Sequence, residues 1–245
     1  MTEEKTVVKP YNKEQSSKKQ EVAEMFDNIS GRYDFLNHFL SLGIDRRWRK
    51  KAVKKLRELE PKRILDIATG TGDFALALMK LKPDSITGVD ISQGMLDVGI
   101  EKMKRKGVDN VIKLKLGDSE QLPFDNGHFD ALTVGFGVRN YENLEKGLGE
   151  MHRVLRPGGK AVILEFSKPS KFPMKQLFGF YSKRIIPGLG KRISKDERAY
   201  AYLPESVAAF PEGQDFIDIL TKVGYKEVQQ HRVTGGVATI YTGIK

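Results

Sequence analysis

The stretch "RILDIATGTGDFA", residues 63–75, decides the fold. It runs from an apolar, strand-like segment into a glycine turn and out into a helix-like segment. Gly70, Gly72 and Ala75 match the G-x-G-x-x-G/A spacing of the turn that opens a dinucleotide-binding unit. What such a turn holds depends on the charges and strands around it.

Downstream, short apolar runs alternate with helical periodicity. Strands are expected at 64–67, 85–89, 111–116, 129–135 and 160–166, and helices at 73–81, 92–106 and 143–155. Such alternation implies right-handed βαβ units and a parallel sheet covered on both faces. A helix at 214–223 and strands at 225–232 and 237–244 follow, the last two joined by a short "TGG". That hairpin predicts one antiparallel strand at the end of an otherwise parallel sheet. Upstream, helical spacing runs from Val22 through Met25, Phe26 and Ile29 to Tyr33, Leu36 and Leu40, and a second helix is expected at 45–59, before Pro61. Residues 1–20 read as a loose polar lead-in. The 245 residues suit a single α/β domain, with 168–212 as an insertion after the fifth strand.

Composition excludes several chemistries. With no cysteine there is no disulfide, thiol nucleophile or Cys-type metal site, and His38, His128, His152 and His231 lack metal-ligand spacing, so no metal is expected. No apolar run approaches 18 residues, and the first 20 residues lack arginine, which argues against a span, a signal peptide or a transit peptide. A cytoplasmic, bacterial address is the simplest expectation. The net charge of +10 attracts anions, nucleic acid or a lipid surface. It is concentrated: Lys168 to Lys195 carries eight Lys/Arg and no acid, interleaved with Phe172, Met174, Leu177, Phe178, Phe180, Tyr181, Ile185 and Ile186. That is the composition of an interfacial amphipathic segment, placed to form a lid.

The turn's ligand is read from its acids. Asp90 lies 20 residues after Gly70, at the end of the second strand, where a carboxylate meets ribose hydroxyls. Asp73 stands where a pyrophosphate would lie; uncompensated, two anions there repel by on the order of a few kcal/mol. Asp66 adds further negative charge. A ligand with ribose hydroxyls, an ammonium and a sulfonium suits these residues, and S-adenosylmethionine (SAM) has all three. In "GDSEQLPF", residues 117–124, Asp118 and Ser119 are placed for an adenine edge, walled by Leu122, Pro123 and Phe124.

At this point the chain resembles the class I SAM-dependent methyltransferases: L-D-x-A-x-G-T-G at 65–72, G-x-D at 88–90 and L-R-P-G-G at 155–159. "EMFDNISGRYDFLNHFLSLGIDRRWRK" (24–50), "FGVRNYEN" (136–143), "LEFSKP" (164–169) and "YAYLPESVAAFP" (200–211) narrow the resemblance to the ubiquinone/menaquinone-biosynthesis C-methyltransferase family. The resemblance implies a class I, Rossmann-like α/β fold with N-terminal helices and a lid-like insertion. It implies SAM as cofactor and a prenylated quinol as substrate, methylated on a ring carbon. Thr71, Asp90, Asp118 and Ser119 match the family's cofactor residues, and Gly135 stands where many members carry Ser. With Asp66, Gly70 and Gly72 from the turn, these form the expected cofactor set. Arg139 and Asn140, after the fourth strand, are expected to meet the reacting hydroxyl, with Tyr33 orienting it; Arg139 would stabilise a phenolate. Asp34 and Asn37 share the Tyr33 helix and either brace it or touch substrate.

The alternatives are a SAM-dependent methyltransferase of RNA or of another small aromatic, a non-catalytic binding module, and a nicotinamide dehydrogenase. "GFGVRNY" stands after strand four in place of the Asn-Pro-Pro-Tyr motif of nucleic-acid amino methylation, so no nucleic acid is expected. Peripheral contact with an anionic membrane is expected. Oligomeric state is left open, a homodimer included.

Overall fold

The structure is a computed structural model that describes residues 8–34, 38, 41–181 and 196–245. Five strands run parallel: β1 (Arg63–Ile67), β2 (Ser85–Asp90), β3 (Ile112–Leu116), β4 (Phe129–Gly135) and β5 (Leu155–Phe166). With β6 (Lys226–Val233) and β7 (Ala238–Ile244) they form one sheet in the order β3-β2-β1-β4-β5-β7-β6. The single antiparallel strand is β7, and it lies inside the sheet rather than at its end, paired with both β5 and β6. Burial explains the exchange. β7 is apolar and buried along nearly its whole length, whereas β6 ("KEVQQHRV") is almost wholly exposed. A polar, charged strand is the tolerable edge.

Helices cover both faces. Leu65, Ile67, Leu132 and Ile163 pack with Leu148 and Met151 of α5 (Leu144–Val154) and Phe216 and Leu220 of α8 (Gln214–Val223). Ile64, Ile86, Ala131 and Val162 face Trp48 and Ala52 of α2 (Ile44–Lys54), Phe74 and Leu78 of α3 (Asp73–Leu78) and Met103 of α4 (Gln93–Arg105). Successive residues of β1 thus serve opposite cores, as a strand buried on both faces requires. Outside the sheet, Val22 and Met25 of α1 (Lys18–Ile29) pack on Ala199 and Tyr202 of α7 (Glu197–Ala209).

Three boundaries differ from expectation. α1 begins at Lys18, with Ser17 and Gln20 forming a capping box, and gives way after Ile29 to a 3-10 turn at Ser30–Arg32. It is therefore not one helix reaching Leu40; Leu36, Asn37 and Leu40 lie outside the described residues. α2 stops at Lys54, with a separate 3-10 turn at Arg57–Leu59. Leu155 is extended and belongs to β5, not to the preceding helix; Pro157 disfavours helical backbone just before it.

The lead-in is not loose over residues 9–13; residues 1–7 lie outside the described residues. Glu21, fully buried, accepts the backbone N–H groups of Tyr11 (2.6 Å), Asn12 (2.9 Å) and Lys13 (2.8 Å). Arg198 Nε donates to the Pro10 carbonyl at 2.7 Å. A buried carboxylate needs donors, and this segment supplies three. Glu21→Ala is therefore expected to cost about 1–3 kcal/mol in urea denaturation. It should also speed tryptic cleavage after Lys13; unchanged cleavage would contradict the clamp.

Candidate functional site

β1 lies between β2 and β4, so the connections leaving its carboxyl end and that of β4 diverge and open a crevice, the usual ligand position in such sheets. Two turns line it. After β1, Ala68, Gly70 and Gly72 have φ of +52°, +54° and +83°; after β4, Phe136 has φ +60°. For Ala68 and Phe136 this conformation costs on the order of 1–3 kcal/mol each. The two turns pack closely: a Cβ on Gly137 would fall 2.5 Å from that of Ala68.

Two acids hold the first turn. Gly70 N donates to Asp90 Oδ2 at 2.7 Å and Ser92 N to Asp90 Oδ1 at 2.9 Å. Burial raises the Asp90 carboxyl above its ordinary range, against the pull of those N–H groups. Beneath, Asp66 is fully buried and accepts Thr69 Oγ1 and Thr133 Oγ1, each at 2.6 Å. Burial pushes its carboxyl up to about 6, although both hydroxyls oppose the rise.

A cleft opens above these turns, with about 690 Å³ of space counting the part open to solvent. Tyr33, Gly70, Asp90, Asp118, Ser119, Gly135 and Asn140 are brought together on its walls. A smaller cavity of about 380 Å³ shares Tyr33, Gly70 and Gly135 and adds Thr71. Asp66, Gly72 and Arg139 reach neither wall. Asp66 lies below the turn, and a Cβ on Gly72 would meet Met103 Cε at 2.5 Å, so Gly72 serves packing.

Arg139 departs most from expectation. Its guanidinium does not face the cleft: Nη1 donates to Glu165 Oε1 at 2.8 Å and to the Phe136 carbonyl. Glu165 is fully buried, and an unpaired buried carboxylate is costly, so the arginine is drawn under the turn. Asn140, one residue on in the 3-10 turn Val138–Asn140, faces the cleft and accepts Tyr202 Oη at 3.2 Å. Burial holds the Tyr202 hydroxyl near 12, so it remains a donor. Lys18 Nζ braces the same turn through the carbonyls of Arg139 (3.0 Å) and Tyr141 (2.9 Å); burial lowers it to about 8.

Asp73 is not the uncompensated charge it appeared. Lys102 Nζ lies 3.0 Å from it, His38 Nε2 3.4 Å and Arg49 Nη1 3.5 Å. Burial would raise its carboxyl, but Arg49, Lys102 and His38 outweigh that and hold it low. Repulsion at Asp73 therefore excludes no phosphate ligand. His38, Asp45 and Asp73 converge despite their unpromising spacing. Arg49 Nη1, 2.6 Å from Asp45, balances that cluster.

Several wall residues were missed. Lys19, Val22 and Phe26 of α1 line the cleft, and Lys19 pairs with Asp118 and, at 3.4 Å, with Glu120. The amphipathic spacing of α1 showed a buried face without saying what it covers. Glu165 did carry a signal, as a lone acid inside the apolar run "AVILEF".

The residues present fit SAM: a carboxylate at Asp90, at the end of β2, and a polar pair at Asp118 and Ser119, all on the cleft wall. Comparison with known proteins agrees. Residues 14–245 match the model of the ubiE/COQ5 methyltransferase family. The chain is 51% identical to a demethylmenaquinone methyltransferase of Bacteroides fragilis over 239 residues, covering 97% of each. It is 42% identical to one of Porphyromonas gingivalis over 240 residues, covering 97% of this chain and 98% of that one. It is 46% identical to a ubiquinone/menaquinone biosynthesis C-methyltransferase of Geobacter sp. over 232 residues, covering 94% and 98%. Among solved structures, a SAM-dependent methyltransferase from Thermotoga maritima superposes with a TM-score of 0.60 at 22% identity, covering 91% of this chain and 99% of that one. One from Methanococcus maripaludis gives a TM-score of 0.60 at 19% identity, covering 96% and 95%. These two share the fold.

Asp66 yields a pH test. Its folded carboxyl binds protons more tightly than an unfolded one, so the stabilisation from its protonated form is present below pH 3.8 and is lost as pH rises through about 6. A gap of about two pH units corresponds to about 3 kcal/mol. Asp66→Asn, locked neutral, should gain up to that much relative to the parent between pH 4 and 7 in urea denaturation. A pH-independent difference would place the charge elsewhere.

Proposed function

The chain belongs to the ubiE/COQ5 methyltransferase family, and from that premise we propose that it methylates a ring carbon of a prenylated quinol in menaquinone or ubiquinone biosynthesis, with SAM as donor. The relatives named for demethylmenaquinone favour a demethylmenaquinol ring. One observation carries the proposal: the switch-point cleft brings the Asp90 carboxylate, Asn140 and Tyr33 together on its walls.

When bound, SAM supplies an electrophilic methyl group. The protein's part is to place and activate the ring. A phenol titrates near pH 10, so its proton must be accepted or its anion stabilised during attack. With Oδ1 taken by Tyr202, the Asn140 amide N–H groups are the donors it has for the substrate oxygen. Tyr33, edge-on to Phe26 with ring centroids 5.9 Å apart, orients the hydroxyl or a relaying water. Arg139, tied to Glu165, is a positioning residue that fixes the Val138–Asn140 turn. Asp90 holds the ribose, and Asp118 and Ser119 the adenine edge.

The substrate's tail requires an apolar approach. Phe172, Leu177 and Phe180 are 81%, 60% and 63% exposed, on or beside α6 (Met174–Phe180), close in sequence to Lys168, Lys171 and Lys175. This surface rests on anionic lipid, each nearby Lys adding about 1 kcal/mol. Residues 182–195, with the remaining cations of that stretch, lie outside the described residues. Among the described residues, no helix is long and apolar enough to cross a membrane.

The decisive experiment is mass spectrometry of quinones from cells lacking the protein, where the demethylated precursor should accumulate. In vitro, Asp90→Ala should weaken SAM binding about 10- to 100-fold by calorimetry, the worth of one or two hydrogen bonds to a charged group. Asn140→Ala should lower kcat at least tenfold with an unchanged SAM dissociation constant. Replacing Phe172, Leu177 and Phe180 by Ser should reduce co-sedimentation with phosphatidylglycerol vesicles and turnover of a long-tailed quinol, while sparing a short-tailed one.

A further inference from the structure

The densest run of cations in the chain is not the one beside α6. Residues 46–57 hold eight Lys/Arg and no acid in twelve positions. Most of this run belongs to α2. Arg46, Arg47, Lys50, Lys51 and Lys54 are exposed, whereas Asp45, Trp48, Arg49, Ala52 and Val53 are buried. At about 100° per residue, the five exposed cations share an arc of about 140°. Among the described residues, the ion pairs of this helix run through Asp45 and Arg49 and leave the outer five unmatched. Arg46 and Lys50, Arg47 and Lys51, and Lys50 and Lys54 are like charges one turn apart, which destabilise a free helix. An anionic partner relieves that repulsion.

Leu42, two residues before the helix, is a second observation. It is 80% exposed and has φ +50°. A lone exposed leucine is ordinary; one held in left-handed backbone beside five unmatched cations is not. Position is the third. Arg49 reaches Asp73, the first residue of α3, and the Trp48 ring lies 6.0 Å from Phe136 and 6.2 Å from Phe166, centroid to centroid. The first half of α2 therefore stands at the carboxyl end of the sheet, where the cleft opens. Trp48 Nε1 donates to Thr234 Oγ1 at 2.7 Å, and Met174 of α6 packs so closely on Gly235 that no Cβ would fit there. One short turn thus touches α2 on one side and α6, with its exposed aromatics, on the other.

We propose that Leu42 and the outer face of α2 form a second lipid-contacting surface, which takes the anionic headgroups of a bilayer. The proposal rests on the lipid-contact reading of α6 and extends it to a face from another part of the chain. Charge alone suits a nucleic acid equally well. Leu42, with Phe172, Leu177 and Phe180 nearby, needs an apolar phase directly behind the anionic layer, and a bilayer supplies both. Contacts on either side of the Thr234–Gly236 turn also fix orientation. They hold the cleft mouth toward the membrane, where a prenylated ring must be collected.

The test removes the same charge from two places. One variant changes Arg46, Arg47, Lys50, Lys51 and Lys54 to Gln, which keeps helix propensity. The control changes five exposed cations at the opposite edge of the sheet, Lys104, Arg105, Lys106, Lys113 and Lys115, to Gln. Each is co-sedimented with phosphatidylglycerol/phosphatidylcholine vesicles at about 0.15 M salt, where a Debye length of about 8 Å confines attraction to charges near the surface. The α2 variant should partition at least about tenfold less than the parent, and the control within about threefold. Leu42→Asn, suited to left-handed backbone, should also partition severalfold less. Turnover of a short-tailed soluble quinol should match the parent in both charge variants. Thermal unfolding accompanies each; if the fivefold variant does not fold, Arg46→Gln/Arg47→Gln carries the same comparison, with an expected loss of about threefold. If the α2 variant partitions as the parent does, or the control loses as much, the proposal fails, while the α6 surface stands or falls on its own Ser variant. If the α2 variant keeps vesicle binding but loses binding of a single-stranded RNA that the parent holds, the face is a nucleic-acid surface and the proposal fails. A parent that does not sediment with anionic vesicles overturns the lipid reading of α6 itself, a result distinct from these failures.

Discussion

The site depends on how the carboxyl end of β1 is held. The backbone there leaves the sheet through positive φ at Ala68, Gly70 and Gly72, free for the glycines but strained at Ala68, where the surroundings must hold it. Two carboxylates over-determine it. Asp66 binds the hydroxyls of Thr69 in the turn and Thr133 on the adjacent strand β4. Asp90, at the end of β2 on the other side, takes the Gly70 N–H. The turn is thus tied to both neighbouring strands by acids that are themselves buried. The raised carboxyl at each is the physical cost of placing charge there. Desolvation also strengthens the hydrogen bonds that Asp90 accepts relative to those of an exposed carboxylate.

The second layer of the site is electrostatic and comes from outside the sheet. α1 contributes Lys18 to the Arg139–Tyr141 turn and Lys19 to Asp118. His38 and α2 contribute the His38–Asp45–Arg49 group that meets Asp73. Lys102 of α4 closes the circuit to Asp34 and Thr71. The helices before β1 are therefore parts of the ligand cleft, and they are attached mainly by charge at the points where they approach it. Lys18, Asp45, Arg49 and Lys102 are themselves buried, so each needs the partner that the packing of these helices supplies.

The sheet was legible in the sequence because buried parallel strands are short apolar runs between helical periods, and this chain keeps the two distinct. Asp90 was legible because its spacing from Gly70 is set by one helix and one strand. β7 was misplaced because the order of strands in a sheet is not a local property; the apolar "ATIY" of β7 set against the polar "KEVQQHRV" of β6 held the answer. The role of Asp73 was misjudged for a related reason. His38, Arg49 and Lys102 lie 35, 24 and 29 positions away from it, and periodicity does not bring such residues together.

Arg139 and Asn140 show why neighbouring residues of one motif take different parts. In a 3-10 turn successive side chains point about a third of a revolution apart, so one of the two can face the cleft while the other turns beneath it. Glu165 settles which. It sits fully buried on β5, directly below the turn, and needs a cation; Arg139 is the side chain that reaches it. With Arg139 drawn down, Asn140 is left at the cleft wall, and Tyr202 from α7 fixes its amide orientation. The cleft wall there therefore presents a neutral amide with two N–H donors in place of a guanidinium. The acid buried in β5 therefore decides which residue of the motif reaches the cleft wall, although it lies beneath the turn itself.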